Sequence, residues 1–231
     1  MNYIIGIDTS SIELGIGLAG DNDMILGVSR YMRNSHAEHI TRSIDFCLTS
    51  CAITADDISH AAIAVGPGSF TGLRIGISFL KGFCFGKNIK ALPVSSLQSM
   101  AFALNDRSSP IVAAFDARNN EVFWARFKPV GNALVRTSDD ALASVDKFKE
   151  AIDNNDIVVI DSLGYAKSSV FDFLKDRKNV FDIKQYPVQR GLACARIGML
   201  ALGSDKWISC SGISPRYLNK TTMEKKLDAK S

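Results

Sequence analysis

The 231-residue sequence has no apolar run long enough to cross a bilayer. Its first hydrophobic stretch, Tyr3-Ile4-Ile5-Gly6-Ile7, breaks at Asp8. That is too short for a secretion signal or a membrane span, so a cytoplasmic location without membrane contact is expected. Cysteine pairing is also missing. Cys47, Cys51, Cys84, Cys194 and Cys210 are odd in number, lie in apolar surroundings and form no CxxC pair, which speaks against a disulfide framework or a zinc site and for buried thiols. Charge is weak: 27 Lys and Arg against 24 Asp and Glu leave a net +3, too little to argue for nucleic acid. Lys220, Lys225, Lys226 and Lys230 make the tail locally basic, and we read it as solvated. Only three histidines occur. His36 and His39, three apart on one helix, are expected to face solvent rather than a metal, and His60 opens a buried strand in a structural role. No His has a neighbourhood that would activate a Ser or Cys nucleophile, so no catalytic residue is assigned. With 46% hydrophobic and 22% charged residues, the chain is nevertheless an ordinary globular protein with enough length for one large or two small domains.

Its densest signal is Val65-Gly66-Pro67-Gly68-Ser69-Phe70-Thr71-Gly72-Leu73-Arg74-Ile75-Gly76. A short apolar strand over 60–65 meets a Gly-Pro-Gly turn, and a helix follows over 70–85. Two apolar stripes run along that helix: Phe70, Leu73, Ile77, Leu80 and Cys84 form one, and Ile75, Phe79 and Phe83 the other. Gly76 and Gly82 inside it each cost about 1 kcal/mol relative to Ala, a loss that close packing must recover. The helix is therefore expected to be covered on two sides, the second by another helix of the chain or by a partner. A glycine loop opening a helix also suggests a phosphate cradle, but the loop has neither the GxGxxG nor the GxxxxGK[ST] spacing.

Along the chain, 3–8, 12–19 and 24–31 read as an antiparallel meander. A helix over 36–51 carries Ile40, Ile44, Cys47, Leu48 and Cys51 on one face, with Phe46 off that face as an exposed aromatic or a partner contact. A strand over 89–93 and a helix over 95–104 follow, and then a linker over 105–110. Beyond the linker the pattern restarts. Tyr3-Ile4-Ile5-Gly6-Ile7-Asp8 and Ile111-Val112-Ala113-Ala114-Phe115-Asp116 are both apolar strands ending in Asp, each with a Glu five residues on, Glu13 or Glu121, that opens a second strand. The second half continues with a strand over 133–137, a helix over 145–153, a strand over 156–161, a helix over 168–175, a long helix over 189–202 and an extended end. The expected class is α/β, with one subdomain over 1–104 and a related one over 105–231 whose last helix and tail pack back on the first.

Two such units, each with an Asp-ended first strand, resemble the actin, sugar-kinase and Hsp70 superfamily. The resemblance implies an actin-like, ribonuclease H-like fold of two βββαβα-type subdomains whose Asp turns face each other across a cleft that holds metal and phosphate. More narrowly, Ile7-Asp8-Thr9-Ser10, the run from Gly66 to Gly76, Asp116-Ala117-Arg118 and Pro215-Arg216-Tyr217-Leu218 resemble the TsaB (YeaZ) family over almost the whole chain. That likeness implies a non-catalytic subunit that binds and activates a TsaD-like paralogue in forming N6-threonylcarbamoyladenosine at position 37 of tRNA. It implies a heterodimer with that paralogue, a homodimer in its absence, contact with a TsaE-like ATPase through the complex, and only indirect contact with tRNA. Where the paralogue carries a metal-binding His pair, this chain has Ser96 and Met100, so no metal is expected. Asp8, Thr9, Ser10 and Asp116 remain as vestiges of the phosphate turns, Arg118 stands where glycines would admit phosphate, and only Gly164 matches an adenine-side glycine pair, so no cofactor is assigned. The expected partner surface comprises Ile40, Ile44, Phe46, Gly72, Gly76, Phe79 and Phe83. The rival reading is a self-sufficient actin-fold ATPase or kinase that uses Asp8 and Asp116 with Mg²⁺.

Overall fold

The computed structural model describes residues 3–20, 23–31, 36–104, 108–162, 169–185 and 188–218. Gly164, residues 105–107 of the expected linker and the four tail lysines lie outside these. The meander forms as read: β1 (Tyr3–Asp8), β2 (Glu13–Gly20) and β3 (Asp23–Tyr31) pair antiparallel, with Ile7 opposite Ile16 and Glu13 opposite Tyr31. The chain then crosses through α1 (His36–Ser50) to β4 (Ile58–Gly66), which lies parallel to β1. A second crossover, α2 (Phe70–Phe83), leads to β5 (Lys90–Ser95), and α3 (Ser96–Phe102) follows directly. Ser69 caps α2 by accepting the Gly72 N–H on its hydroxyl, and Ser95 caps α3 through the Gln98 N–H.

The second half repeats this plan. Strands β6 (Ile111–Arg118), β7 (Glu121–Val130) and β8 (Ala133–Arg136) form its meander, and β9 (Ala141–Ser144) adds to β7. Helix α4 (Val145–Ala151) leads to β10 (Ile157–Asp161), parallel to β6, and β11 (Val180–Asp182) closes the sheet. The sheets run β5-β4-β1-β2-β3 and β11-β10-β6-β7-β8, so the motif repeat seen in sequence is a repeat of topology. Helix α5 (Arg190–Leu200) and the two-residue strand β12 (Ile208–Ser209) then return to the first sheet, where β12 pairs with β5.

Three apolar layers result. The strand alternation sends Ile5 and Ile7 of β1 to the outer face, where they meet Ile40 and Ile44 of α1 and Ile77 and Leu80 of α2. It sends Ile4 to the inner face, where α3 and α5 fill the space up to Phe115 and Phe127 of the second sheet. The far side of the second sheet packs Val112, Ala114 and Val158 against Val145 and Phe148 of α4. Helix α5 sits unusually close to β1 and β2. A Cβ on Gly6 would lie 2.0 Å from the Gly191 carbonyl oxygen, and one on Gly17 would lie 2.3 Å from Leu192 Cα.

Several expectations need correction. The helix expected over 168–175 is only a 3-10 turn, Asp172–Leu174. Its apolar residues Val170, Phe171 and Leu174 are buried, but the segment is too short to propagate as an α-helix. Strands β9, β11 and β12, of four, three and two residues, carried too little pattern to be read. All five cysteines are free, and all but Cys51 are buried.

Candidate functional site

The first acid turn is closed on itself. The Ser10 N–H and hydroxyl donate to Asp8 Oδ1 at 2.9 and 2.6 Å, and the Ser99 hydroxyl at the end of the first turn of α3 donates to Oδ2 at 2.7 Å. The Gly-Pro-Gly loop folds onto this turn instead of cradling a ligand: Ser69 N–H donates to the Ser10 carbonyl at 2.6 Å, and a Cβ on Gly68, whose φ is +150°, would stand 2.3 Å from that same oxygen. The loop glycine thus serves close backbone approach within the chain.

Beside Asp8 lies a feature that local sequence patterns did not reveal. Arg190, the first residue of α5, is fully buried. Its Nε donates to Glu13 Oε2 at 3.0 Å, its Nη2 to the Ser11 hydroxyl, and its Nη1 stands 3.6 Å from Asp161 Oδ2. The guanidinium also lies over the Phe115 ring, with Cζ 5.7 Å from its centroid. Glu13 opens β2 and Asp161 ends β10, so one side chain joins carboxylates of both sheets. Burial pulls the Arg190 pKa down, but Asp8, Glu13 and Asp161 outweigh it and leave it above its ordinary value. Burial raises the Glu13 carboxyl, against the pull of Arg190 and the Ser29 hydroxyl. Burial, then Glu13, push the Tyr31 phenol up to about 12.

Asp116 does not join this cluster. It is half-buried, its Oδ1 accepts the Arg118 N–H at 2.7 Å, and it lines a separate cavity of about 500 Å³ with Ser162, Asp182 and Lys184. Arg118, Asn119 and Asn120 all have positive φ, 68°, 51° and 59°, which turns the chain back without glycine. Arg118 is exposed.

A metal–nucleotide group of the kind the superfamily likeness implies does not fit these residues. Both Asp8 oxygens already accept hydrogen bonds, the glycine loop is packed shut, and Arg190 occupies the acid cluster. Ser96 and Met100 are buried in the helix between the sheets. His36 is not solvent-facing, as its spacing suggested: it is buried, and its Nε2 donates to the Ser11 carbonyl at 2.7 Å. A His–Ser contact exists at His60 Nδ1 and Ser59 Oγ, 3.0 Å, but the hydroxyl donates to the Tyr3 carbonyl, so it offers no proton to the imidazole.

The second candidate region is the outer layer of α1 and α2, where the expected patch divides. Ile40 and Ile44 are buried against the sheet and belong to the core. Gly72 and Gly76 also face inward: a Cβ on Gly72 would meet the Thr9 carbonyl oxygen at 2.1 Å, and one on Gly76 the Thr9 hydroxyl at 2.3 Å. These glycines admit the β1–β2 turn, not a second helix. The outward surface mixes polar residues such as Arg42, Asp45, Ser78 and Lys81 with several aromatic rings. Phe46 is 56% exposed and Phe85 88% exposed, while Phe79 and Phe83 are half-buried and stacked at 6.1 Å. Near the start of α2, Arg74 lies 3.8 Å over the Phe70 ring and donates from Nε to the Tyr217 hydroxyl at 3.0 Å, and the two aromatic rings stack at 4.7 Å. Tyr217 follows Arg216, whose N–H donates to the Val65 carbonyl at 2.7 Å, so the Pro-Arg-Tyr-Leu motif is tied to the glycine loop across the fold.

Comparison with known proteins is consistent with this architecture. The family model for TsaD, tRNA N6-adenosine threonylcarbamoyltransferase, matches residues 29–190. The chain is 28% identical over 157 residues to the tRNA threonylcarbamoyladenosine biosynthesis protein TsaB of Bacillus subtilis, covering 68% of this chain and 69% of that one. It is 32% identical over 133 residues to TsaB of Escherichia coli, covering 57% of each. Among solved structures, YeaZ from Pseudomonas aeruginosa superposes with a TM-score of 0.81 at 19% identity, over 94% of this chain and 100% of that one.

Proposed function

The chain belongs to the TsaB (YeaZ) family of tRNA threonylcarbamoyladenosine biosynthesis, and from that membership we propose that it is a non-catalytic subunit that binds and activates a TsaD-like paralogue in forming N6-threonylcarbamoyladenosine at position 37 of tRNA. The observation that carries this reading is the set of aromatic rings on and just beyond the outer layer of α1 and α2: Phe46 and Phe85 are exposed, and Phe79 and Phe83 are only half-buried by the described residues. Fully burying one such ring contributes about 1.5–3 kcal/mol, so several together support a specific interface. The paralogue is the partner this face serves. In its absence, a second copy covers the face by two-fold symmetry, since an isologous contact needs only self-complementarity. The tRNA and a TsaE-like ATPase are then reached through the complex. The lack of an activated nucleophile among the described residues, and the acid cluster already occupied by Arg190, support the non-catalytic assignment.

Calorimetry with the purified TsaD partner tests this. Wild type should bind, and Phe46→Asp combined with Phe83→Asp should weaken binding at least about 100-fold with unchanged circular dichroism. Undiminished affinity in the double variant would move the interface elsewhere. Micromolar Mg-ATP binding with turnover by the chain alone would instead favour a self-sufficient ATPase or kinase.

A further inference from the structure

We propose that Arg190 is a built-in occupant of the acid cluster, a cation supplied by the chain itself, and that it is the residue that denies this cleft to metal-borne phosphate ligands. The inference goes beyond the partner reading, which draws on the occupied cluster only for the non-catalytic assignment.

The position of the cluster is that of a ligand site. Asp8 stands at the carboxyl end of β1 and Asp161 at the carboxyl end of β10, the two sheets face each other there, and open α/β sheets receive ligands at such strand ends. Its chemistry is that of a cation site as well. Asp8, Glu13 and Asp161 are all at most 4% exposed, and three acids converge around a single base. What distinguishes this chain is that the cation is covalently attached. Arg190 is 0% exposed: its Nε donates to Glu13 at 3.0 Å and its Nη2 to the Ser11 hydroxyl, its Nη1 forms an ion pair with Asp161 at 3.6 Å without a hydrogen bond, and the Phe115 ring lies 5.7 Å away. A guanidinium carries a high desolvation cost, which only such convergent pairing offsets. Its planar fork suits several carboxylates at once, whereas an ammonium would address them one at a time.

The backbone fixes the guanidinium in that place. Gly191 follows Arg190, and a Cβ there would stand 2.3 Å from the Gly15 carbonyl carbon, so the start of α5 rests directly on β2 beside Glu13. The backbone of Arg190 is therefore fixed beside Glu13, and its side chain is fully enclosed there. A divalent ion entering the cluster would have to share the same carboxylates with the enclosed guanidinium, and like charges at contact distance are strongly unfavourable in a buried site. The result is a cleft filled by its own chain and two sheets held in one relation by a single side chain.

The probes are Mn²⁺ alone and Mn²⁺ with ADP, applied to the full chain and read by metal relaxation titration and by thermal midpoint. Wild type should show neither binding nor a midpoint shift at millimolar probe. Arg190→Ala should lower the midpoint, gain a Mn²⁺-dependent rise and bind Mn²⁺ at least about tenfold more tightly than wild type. Millimolar methylguanidinium should also restore part of its midpoint. Arg190→Lys should stay folded and closed to Mn²⁺, with an intermediate midpoint. Micromolar Mn²⁺-ADP binding by wild type overturns the proposal whatever the variants do. So does an Arg190→Ala protein with the wild-type midpoint, or an Arg190→Lys protein as disrupted as Arg190→Ala, since shape rather than charge would then be what the cluster needs. If Arg190→Ala does not fold while Arg190→Lys does and stays closed to Mn²⁺, the requirement for a cation stands. Failure of the partner reading is recognised separately, by undiminished TsaD binding in the Phe46→Asp, Phe83→Asp variant.

Discussion

At the scale of single residues, much of this protein's chemistry is burial acting on ionisable groups. Tyr31 shows the sign clearly. Its phenol is pushed up to about 12, chiefly by burial and then by Glu13, against an ordinary value of 10.0. The folded state therefore holds the phenolic proton more tightly than the unfolded state, and the associated stability is complete below pH 10 and lost as pH rises towards 12. Tyr31→Phe should flatten the fall of the urea midpoint across that window, and an unchanged slope would show that Tyr31 does not drive it. The thiols obey the same physics. Burial, then the neighbouring Cys51, pushes Cys47 up to about 11, and burial first and foremost raises Cys84 and Cys194. Little thiolate exists at neutral pH, so iodoacetamide should label native protein at Cys51 first and the buried four only after unfolding. Mass spectrometry of a labelling time course would show this. Rapid native labelling of Cys84 would contradict it.

At the scale of elements, α2 decides most. Its glycines are not equivalent: Gly76 has the Thr9 hydroxyl 2.3 Å from where a Cβ would be, whereas Gly82 has nothing within 4 Å. Gly82→Ala should therefore stabilise the fold by about 0.5–1 kcal/mol through helix propensity alone. Gly76→Ala should destabilise it by about 1–3 kcal/mol, because Thr9 and the first acid turn must shift. Denaturant midpoints of the two variants moving in opposite directions would confirm the inward orientation of Gly76, and equal shifts would refute it. The helix is covered on its second side only in part. The stripe of Phe79 and Phe83 is only half-buried by the chain itself, and α1 accounts for the rest of the packing without closing the face. Helix α5 is the other decisive element. It belongs to the second repeat by order but packs on β1 and β2 of the first, which is why residues 177 positions apart form the Arg190–Glu13 pair.

At the scale of the whole molecule, one apolar layer joins the repeats. Ile4, Leu92 and Val94 of the first sheet share a core with Phe115, Phe127 and Val159 of the second through α3 and α5. Such a shared core should make unfolding a single transition. The two tryptophans report on the halves separately: Trp124 lies on β7, and Trp207 packs edge-on to His60 of β4 at 4.6 Å. Urea curves of Trp124→Phe and Trp207→Phe followed by fluorescence should coincide with circular dichroism for each variant. Separated midpoints would show that the halves unfold independently. The sequence by itself determined the alternation of strands and helices, the glycine loop that opens α2, the restart at Ile111 and the family to which these motifs belong. All of these are written in local spacing and in side-chain period. It could show that two faces of α2 are apolar and that its glycines permit a close approach, but not what approaches them, because periodicity gives a direction relative to the helix and not the identity of the neighbour. Tertiary structure alone decided that Gly72 and Gly76 receive Thr9, that Asp116 stands apart from Asp8, and that Arg190 sits among acids of both sheets. A buried charge is stabilised by partners brought from distant positions in the chain, and no local pattern carries that information.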